Sequence, residues 1–155
     1  MQSNLALVII SSYFNWYQNS QKREAFYTKE IKGENYWVNH DFKMKDWKLT
    51  AGVKIIDGYT CYKAERKEFN NRAGIDVFFT AWHTPEIPVP YGPIGNGGLP
   101  GLILQLHKHK AVIYTVNKIT LNPKKTKVKS PKEGKKISIR EKIKLLREAR
   151  KVTKD

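Results

Sequence analysis

Glu86, set in Pro85-Glu86-Ile87-Pro88, is the carboxylate best placed for general acid–base work, and His83 lies three residues before it. A general base needs a partner within hydrogen-bond reach and a cleft to act in. No second carboxylate is close in sequence, and the competing role for Glu86 is to accept backbone N–H groups within its own loop. His107 and His109, two residues apart, would share a strand face and could join His83 or Cys61 in a nitrogen–sulfur metal set. Against that, Lys108 and Lys110 repel a cation, and His-Lys-His-Lys reads as a solvated hairpin turn, so no metal site is expected. Cys61 would be a nucleophile only with a lowered pKa and exposure; a buried strand thiol is the ordinary alternative. Lys63 and Arg66 lie near it in sequence, but Glu65 shares the face of Cys61 and Lys63, so the local field is mixed. The segment from Ala81 to Ile103 holds no nucleophile–base pair, metal-ligand spacing or phosphate loop, and no cofactor is expected.

The residues that must position these groups are unusual in backbone character. Five of the seven prolines and five of the ten glycines fall between Pro85 and Gly101. Proline fixes φ and removes a donor, while glycine reaches conformations closed to other residues. Leu99-Pro100-Gly101-Leu102 predicts a type II turn, with Pro and Gly at its two central places. Such a segment is either an ordered loop packed across a sheet, with Leu99, Leu102 and Leu104 as core, or a preformed ligand rim. On the second reading Trp82, Tyr91, Asn96 and Leu99 are the ligand-binding candidates, because long loops inside small domains are often functional.

Around this loop lies a strand-rich body. Asp57-Gly58 is a hairpin signal between a strand at 53–56 and one from Tyr59, and 70–74 is the next turn. From Ile75 the chain alternates, with Ile75, Val77, Phe79 and Ala81 on one face and Asp76, Phe78, Thr80 and Trp82 on the other. The second face is mixed, which predicts cover on both sides. Strands are expected at 102–107 and 111–120, and earlier at 5–13, 26–31 and 36–42. Residues 122–136 read as a flexible Lys/Pro/Ser/Gly linker. Ser138 and Glu141 form a capping box that opens a helix over 139–152, with Ile139, Ile143, Leu146 and Ala149 at helical spacing.

The motifs in this body resemble a known family. Trp47-Lys48-Leu49-Thr50, then Gly58-Tyr59-Thr60-Cys61-Tyr62-Lys63-Ala64, then Pro85-Glu86-Ile87-Pro88, Gly92-Pro93 and Gly98-Leu99-Pro100-Gly101-Leu102-Ile103 occur in order. The chain resembles the GLPGLI family of Bacteroidota, also called the Porph_ging family, with the best agreement over residues 47–106. The resemblance implies a cell-envelope setting, in the periplasm or at the outer membrane, and a family of unknown function. Residues 5–10 are too short an apolar run for a signal peptide or a membrane span, so the sequence reads as an N-terminally shortened member. His83 stands where the family pattern suggests an aromatic residue.

Composition sets the remaining bounds. A chain of 155 residues with 40% hydrophobic content can bury a core, and one cysteine excludes a disulfide framework. The net charge of +15 is uneven, because residues 121–155 carry fourteen Lys/Arg against four Asp/Glu, a net +10. The expected division is an antiparallel β domain over 1–120 and a basic linker with an amphipathic helix over 121–155. The expected class is mainly β, a curved sheet or unclosed barrel with a C-terminal helix; a LolA-like arrangement is a fold-level analogy only.

The functional expectation is a non-enzymatic binder of an apolar or peptide ligand. One alternative is a hydrolase or maturation factor centred on Glu86 and His83. The other is binding to nucleic acid or an anionic surface through the tail. Nucleic acid is disfavoured as a partner because lysine outnumbers arginine in the tail and no aromatic residue follows Tyr114. An anionic membrane surface suits the same charge. Oligomeric state is left open by the sequence.

Overall fold

Two tight turns show how sequence sets the frame. Asp57 and Gly58 both take left-handed φ, +50° and +80°, the pair of values that lets a two-residue turn follow the right-handed twist of its strands. They join β5 (Lys48–Ile56) to β6 (Tyr59–Asn70). Lys32 and Gly33, at +53° and +78°, do the same between β3 (Glu24–Ile31) and β4 (Glu34–Asn39). The computed structural model describes residues 6–10, 15–40, 46–71, 73–125 and 133–151, the first of these stretches as backbone only.

The protein is mainly β, with two unclosed, largely antiparallel sheets of five strands each and one C-terminal helix, as the sequence leads one to expect. Contacts divide the chain into two units, Lys43–Thr126 and the combination of Met1–Phe42 with Lys127–Asp155, so that the former is inserted in the latter along the chain.

In the first unit the order is β1 (Ala6–Ile10), β2 (Asn15–Asn19), β3, β4 and β10 (Lys135–Ile137). β2 is not foreseen, for a physical reason. Trp16, Tyr17, Gln18 and Asn19 are all buried, so the strand shows no alternation to read. Tyr17 stacks on Phe26 (centroids 4.7 Å apart) and Phe26 on Trp37 (5.0 Å), while Trp16 meets Tyr27 at 4.7 Å. Cross-strand aromatic contacts of this kind hold neighbouring strands in register.

The expected linker is corrected at its C-terminal end. Residues 126–132 lie outside the described residues, but Lys135–Ile137 forms β10, parallel to β4. The indole Nε1 of Trp37 donates to the Glu133 carbonyl. A Cβ on Gly134 would stand 2.7 Å from the Asn35 carbonyl oxygen, so a glycine is needed where the chain closes on β4. The capping box follows as expected. Glu141 N donates to Ser138 Oγ (3.1 Å) and Ser138 N to a Glu141 carboxylate oxygen (2.6 Å), which lowers the Glu141 pKa. They open α1 (Ile139–Lys151), whose Lys142 Nζ reaches the Tyr27 hydroxyl at 2.8 Å.

In the second unit the order is β5, β6, β7 (Ile75–Thr84), β8 (Leu102–Lys108) and β9 (Val112–Thr115). β9 stops five residues short of the expected end. Ala64, Val77, Phe79, Ala81, Ile103 and Leu106 form a core on one sheet face, and Leu99 of the Pro/Gly loop completes it. Ile75 is half exposed at the end of its strand, and Phe78 on the opposite face is exposed. The expected cover on both sides of β7 is therefore not found. That outer face is instead tended by polar groups: the Lys54 ammonium sits 4.1 Å over the Trp82 ring, and Gln105 donates to the Thr115 hydroxyl (3.0 Å).

Candidate functional site

The Pro/Gly segment after β7 is held down by its own backbone. Val89 N donates to Ile87 O (2.8 Å), Tyr91 N to Val89 O (2.9 Å) and Gly101 N to Leu99 O (2.8 Å). Each bond closes a three-residue turn with a proline at its centre: Pro88, Pro90 and Pro100. Proline's fixed φ near −65° fits the inverse γ-turn, and the missing N–H is not needed at that place. The type II turn expected at 99–102 is thus replaced by a γ-turn on Pro100, because Leu102 N donates across the loop to Ile87 O (2.9 Å). Ile103 N to Tyr91 O (2.9 Å) and Gly98 N to Pro90 O (3.1 Å) tie the two limbs together.

The glycines answer to close approach. A Cβ at Gly101 (φ +136°) would overlap the Thr84 carbonyl oxygen, and one at Gly97 the Pro90 carbonyl oxygen. The loop can pack this tightly only where those side chains are absent.

A buried arginine fixes the folded loop to the sheet. Arg66, on β6, donates from Nη2 to Asn96 Oδ1 (2.5 Å) and from Nη1 to Glu68 Oε2 (2.8 Å). Its guanidinium lies 4.0 Å over the Phe79 ring and 5.2 Å over the Trp47 ring. Asn96 passes the contact on, donating from Nδ2 to Pro93 O (3.2 Å), and Trp47 Nε1 donates to Gly97 O (3.0 Å). A charge withdrawn from water needs such partners to be tolerable. The sequence suggests Arg66 only as a charge near Cys61, because in Glu65-Arg66-Lys67-Glu68 nothing marks one charge for burial. The available signal is parity: Arg66 is two residues from Ala64 and pairs with Phe79, so it stands on the core face.

The sequence candidates are dispersed over this frame. Tyr91, Asn96 and Leu99 are buried inside the loop, whereas Trp82 pairs with Lys63 and Gln105 on the opposite sheet face. The four do not line one mouth. Glu86 Oε1 accepts the Thr60 N–H (2.8 Å) where β7 has ended, so its carboxylate replaces a missing ladder partner on β6. No hydrogen bond or ion pair joins it to His83.

His83 is buried, and among the described residues neither of its ring nitrogens has a hydrogen-bond partner. Burial pushes its pKa below the ordinary imidazole value; the nearby Pro100 carbonyl offsets part of this without reaching hydrogen-bond geometry. Cys61 is also buried, its Sγ 3.6 Å from Tyr59 O, and burial pushes the thiol pKa up. It is therefore a weak nucleophile. His107 contacts Gln105 Oε1 (3.0 Å) on the outer face, and His109 sits in the exposed turn at φ +52°. His83 and His107 stand on opposite faces, and among the described residues no group of three His, Cys, Asp or Glu is placed to hold a metal ion. Lys63 pairs with Glu65 (2.5 Å) at the surface, where such pairs contribute little.

Residues 65–105 match the model of the Porph_ging family, described as a protein of unknown function. Over this segment the chain is Porph_ging-like. The match includes Arg66, Asn96 and Gly98 to Ile103, so the Porph_ging-like segment holds both ends of the arginine contact and the whole hexapeptide. Trp47 and the motif at 58–64 lie outside it. No curated protein matches the chain.

Two expected outcomes follow from this geometry. Asn96→Ala removes the acceptor of a buried charged donor and should cost about 2–3 kcal/mol in urea unfolding, with Asn96→Asp losing less. His83, whose pKa is lowered on folding, takes up a proton more readily in the unfolded chain. Its contribution to stability is complete above the unfolded pKa of about 6.5 and is lost as pH falls towards the folded value. Thermal midpoints measured from pH 7.5 down to 5 should fall in the wild type, and less steeply in His83→Phe.

Proposed function

We propose that the protein is a non-enzymatic binding protein of the cell envelope that takes up an extended apolar peptide along β5. The observation that carries this reading is the character of that strand. Among the described residues β5 is the outermost strand of its sheet, paired only with β6, and runs for nine residues. Leu49, Val53 and Ile55 on one of its faces are 65%, 58% and 65% exposed, with Tyr62 exposed beside them on β6.

Open strand edges usually carry charges, prolines or bulges that discourage pairing. Here a register shift lies between Leu49 and Val53, but the stretch from Val53 to Ile56 pairs regularly with β6 and offers its other edge. A peptide added there gains main-chain hydrogen bonds, and its alternate side chains meet the apolar stripe. Exposed apolar groups in a contiguous row are a mark of interaction surfaces. The envelope setting is carried by the family resemblance. Enzymatic readings lack a comparable observation, since the Glu86 carboxylate is taken up by Thr60 and His83 is enclosed.

Fluorescence anisotropy with a labelled, alternating valine–threonine heptapeptide tests the proposal on the full chain. Saturable binding is expected, and the double substitution Val53→Lys, Ile55→Lys should weaken it at least about tenfold, the equivalent of about 1.4 kcal/mol. Absence of saturable binding to the wild type, or equal binding by a folded double variant, would overturn it.

A further inference from the structure

The outward side of α1 is exposed and rich in cations. None of its residues is buried; Lys142, Leu145, Leu146 and Ala149 are half-buried and form the side turned to the sheet, where Lys142 meets Tyr27. Arg140, Ile143, Lys144, Arg147 and Lys151 follow at helical spacing on the exposed side. Ile139 and Ile143 are 44% and 43% exposed at its N-terminal end. From Lys135 to Lys151 there are eight Lys/Arg against two Glu, and one of the two, Glu141, is engaged in the capping box.

We propose that this exposed side of α1 docks on an anionic lipid surface, with Ile139 and Ile143 entering the headgroup boundary and the surrounding cations meeting lipid phosphates. Charge complementarity names the sign of the partner, and the two isoleucines name its kind. A nucleic-acid phosphate backbone attracts the same cations but has no use for exposed isoleucines, and the segment offers no aromatic ring on which a base would stack. A lipid interface uses both features, since apolar burial and attraction to anionic headgroups add in binding a surface-lying helix. The sheet-facing side of α1 stays engaged with β3 and β4, so docking needs no unfolding of the unit. This inference is independent of peptide binding at β5.

Co-sedimentation of the full chain with vesicles of phosphatidylcholine, with and without phosphatidylglycerol, is the test. Binding at least about tenfold stronger to the phosphatidylglycerol vesicles is expected, falling as salt is raised. Lys144→Glu with Arg147→Glu should abolish the preference, and Ile139→Ser with Ile143→Ser should weaken binding while leaving the far-UV circular dichroism unchanged. Equal sedimentation with both vesicle types would overturn the proposal. So would vesicle binding indifferent to the isoleucines and fully displaced by duplex DNA, which would assign the surface to nucleic acid.

Discussion

The guanidinium of Arg66 is the contact on which the second unit's architecture turns. It sits on the core face of the central hairpin, between the rings of Phe79 and Trp47, and points two donors at Asn96 and Glu68. Apolar packing of Leu99 and Ile94, the Trp47 bond to Gly97 and the Glu86 bond to Thr60 also hold the Pro/Gly loop on the sheet, but Arg66 is the charged group among these contacts that is itself buried. With it, a charged donor fixes the one side chain, Asn96, that also binds the loop's own turn at Pro93. Burying a cation is costly unless its donors are used and its faces are covered, so the same cation that holds the loop also depends on it. Loop and sheet specify each other.

Prolines and glycines supply what the arginine cannot, a backbone already bent to fit. Three prolines each stand at the centre of a hydrogen-bonded γ-turn, which lowers the number of conformations the unfolded segment can sample. Gly97 and Gly101 let carbonyl oxygens come closer than any side chain would permit. The segment thereby becomes part of the core instead of a gate over it, and exposed apolar surface is found elsewhere, along β5 and at the start of α1.

Much of this frame is legible in the residues. Asp57-Gly58 declares its turn, Ser138 and Glu141 declare their cap, and the alternation of Val77, Phe79 and Ala81 gives their buried face. The hexapeptide marks the loop because glycine and proline are read one residue at a time. What escapes reading depends on partners distant in sequence. β2 is buried on both faces and shows no period, and the short β10 is defined by pairing with β4, almost a hundred residues earlier in the chain. Arg66 hides among charged neighbours until Phe79 and Asn96 are placed beside it. His83 and Glu86 are close in sequence, yet a bulge between β7 and β8 and the end of the β7 ladder send them to separate environments.

The central claim is that the Porph_ging-like loop is a clamped part of the core. Amide hydrogen exchange resolved at Gly98, Leu102 and Ile103 tests it most directly, because each donates to a carbonyl on the opposite limb of the loop. A clamped loop predicts protection at these three amides comparable to that of Phe79 and Ala81 in the middle of β7. Exchange at the rate of an open surface loop, with β7 still protected, would contradict the account.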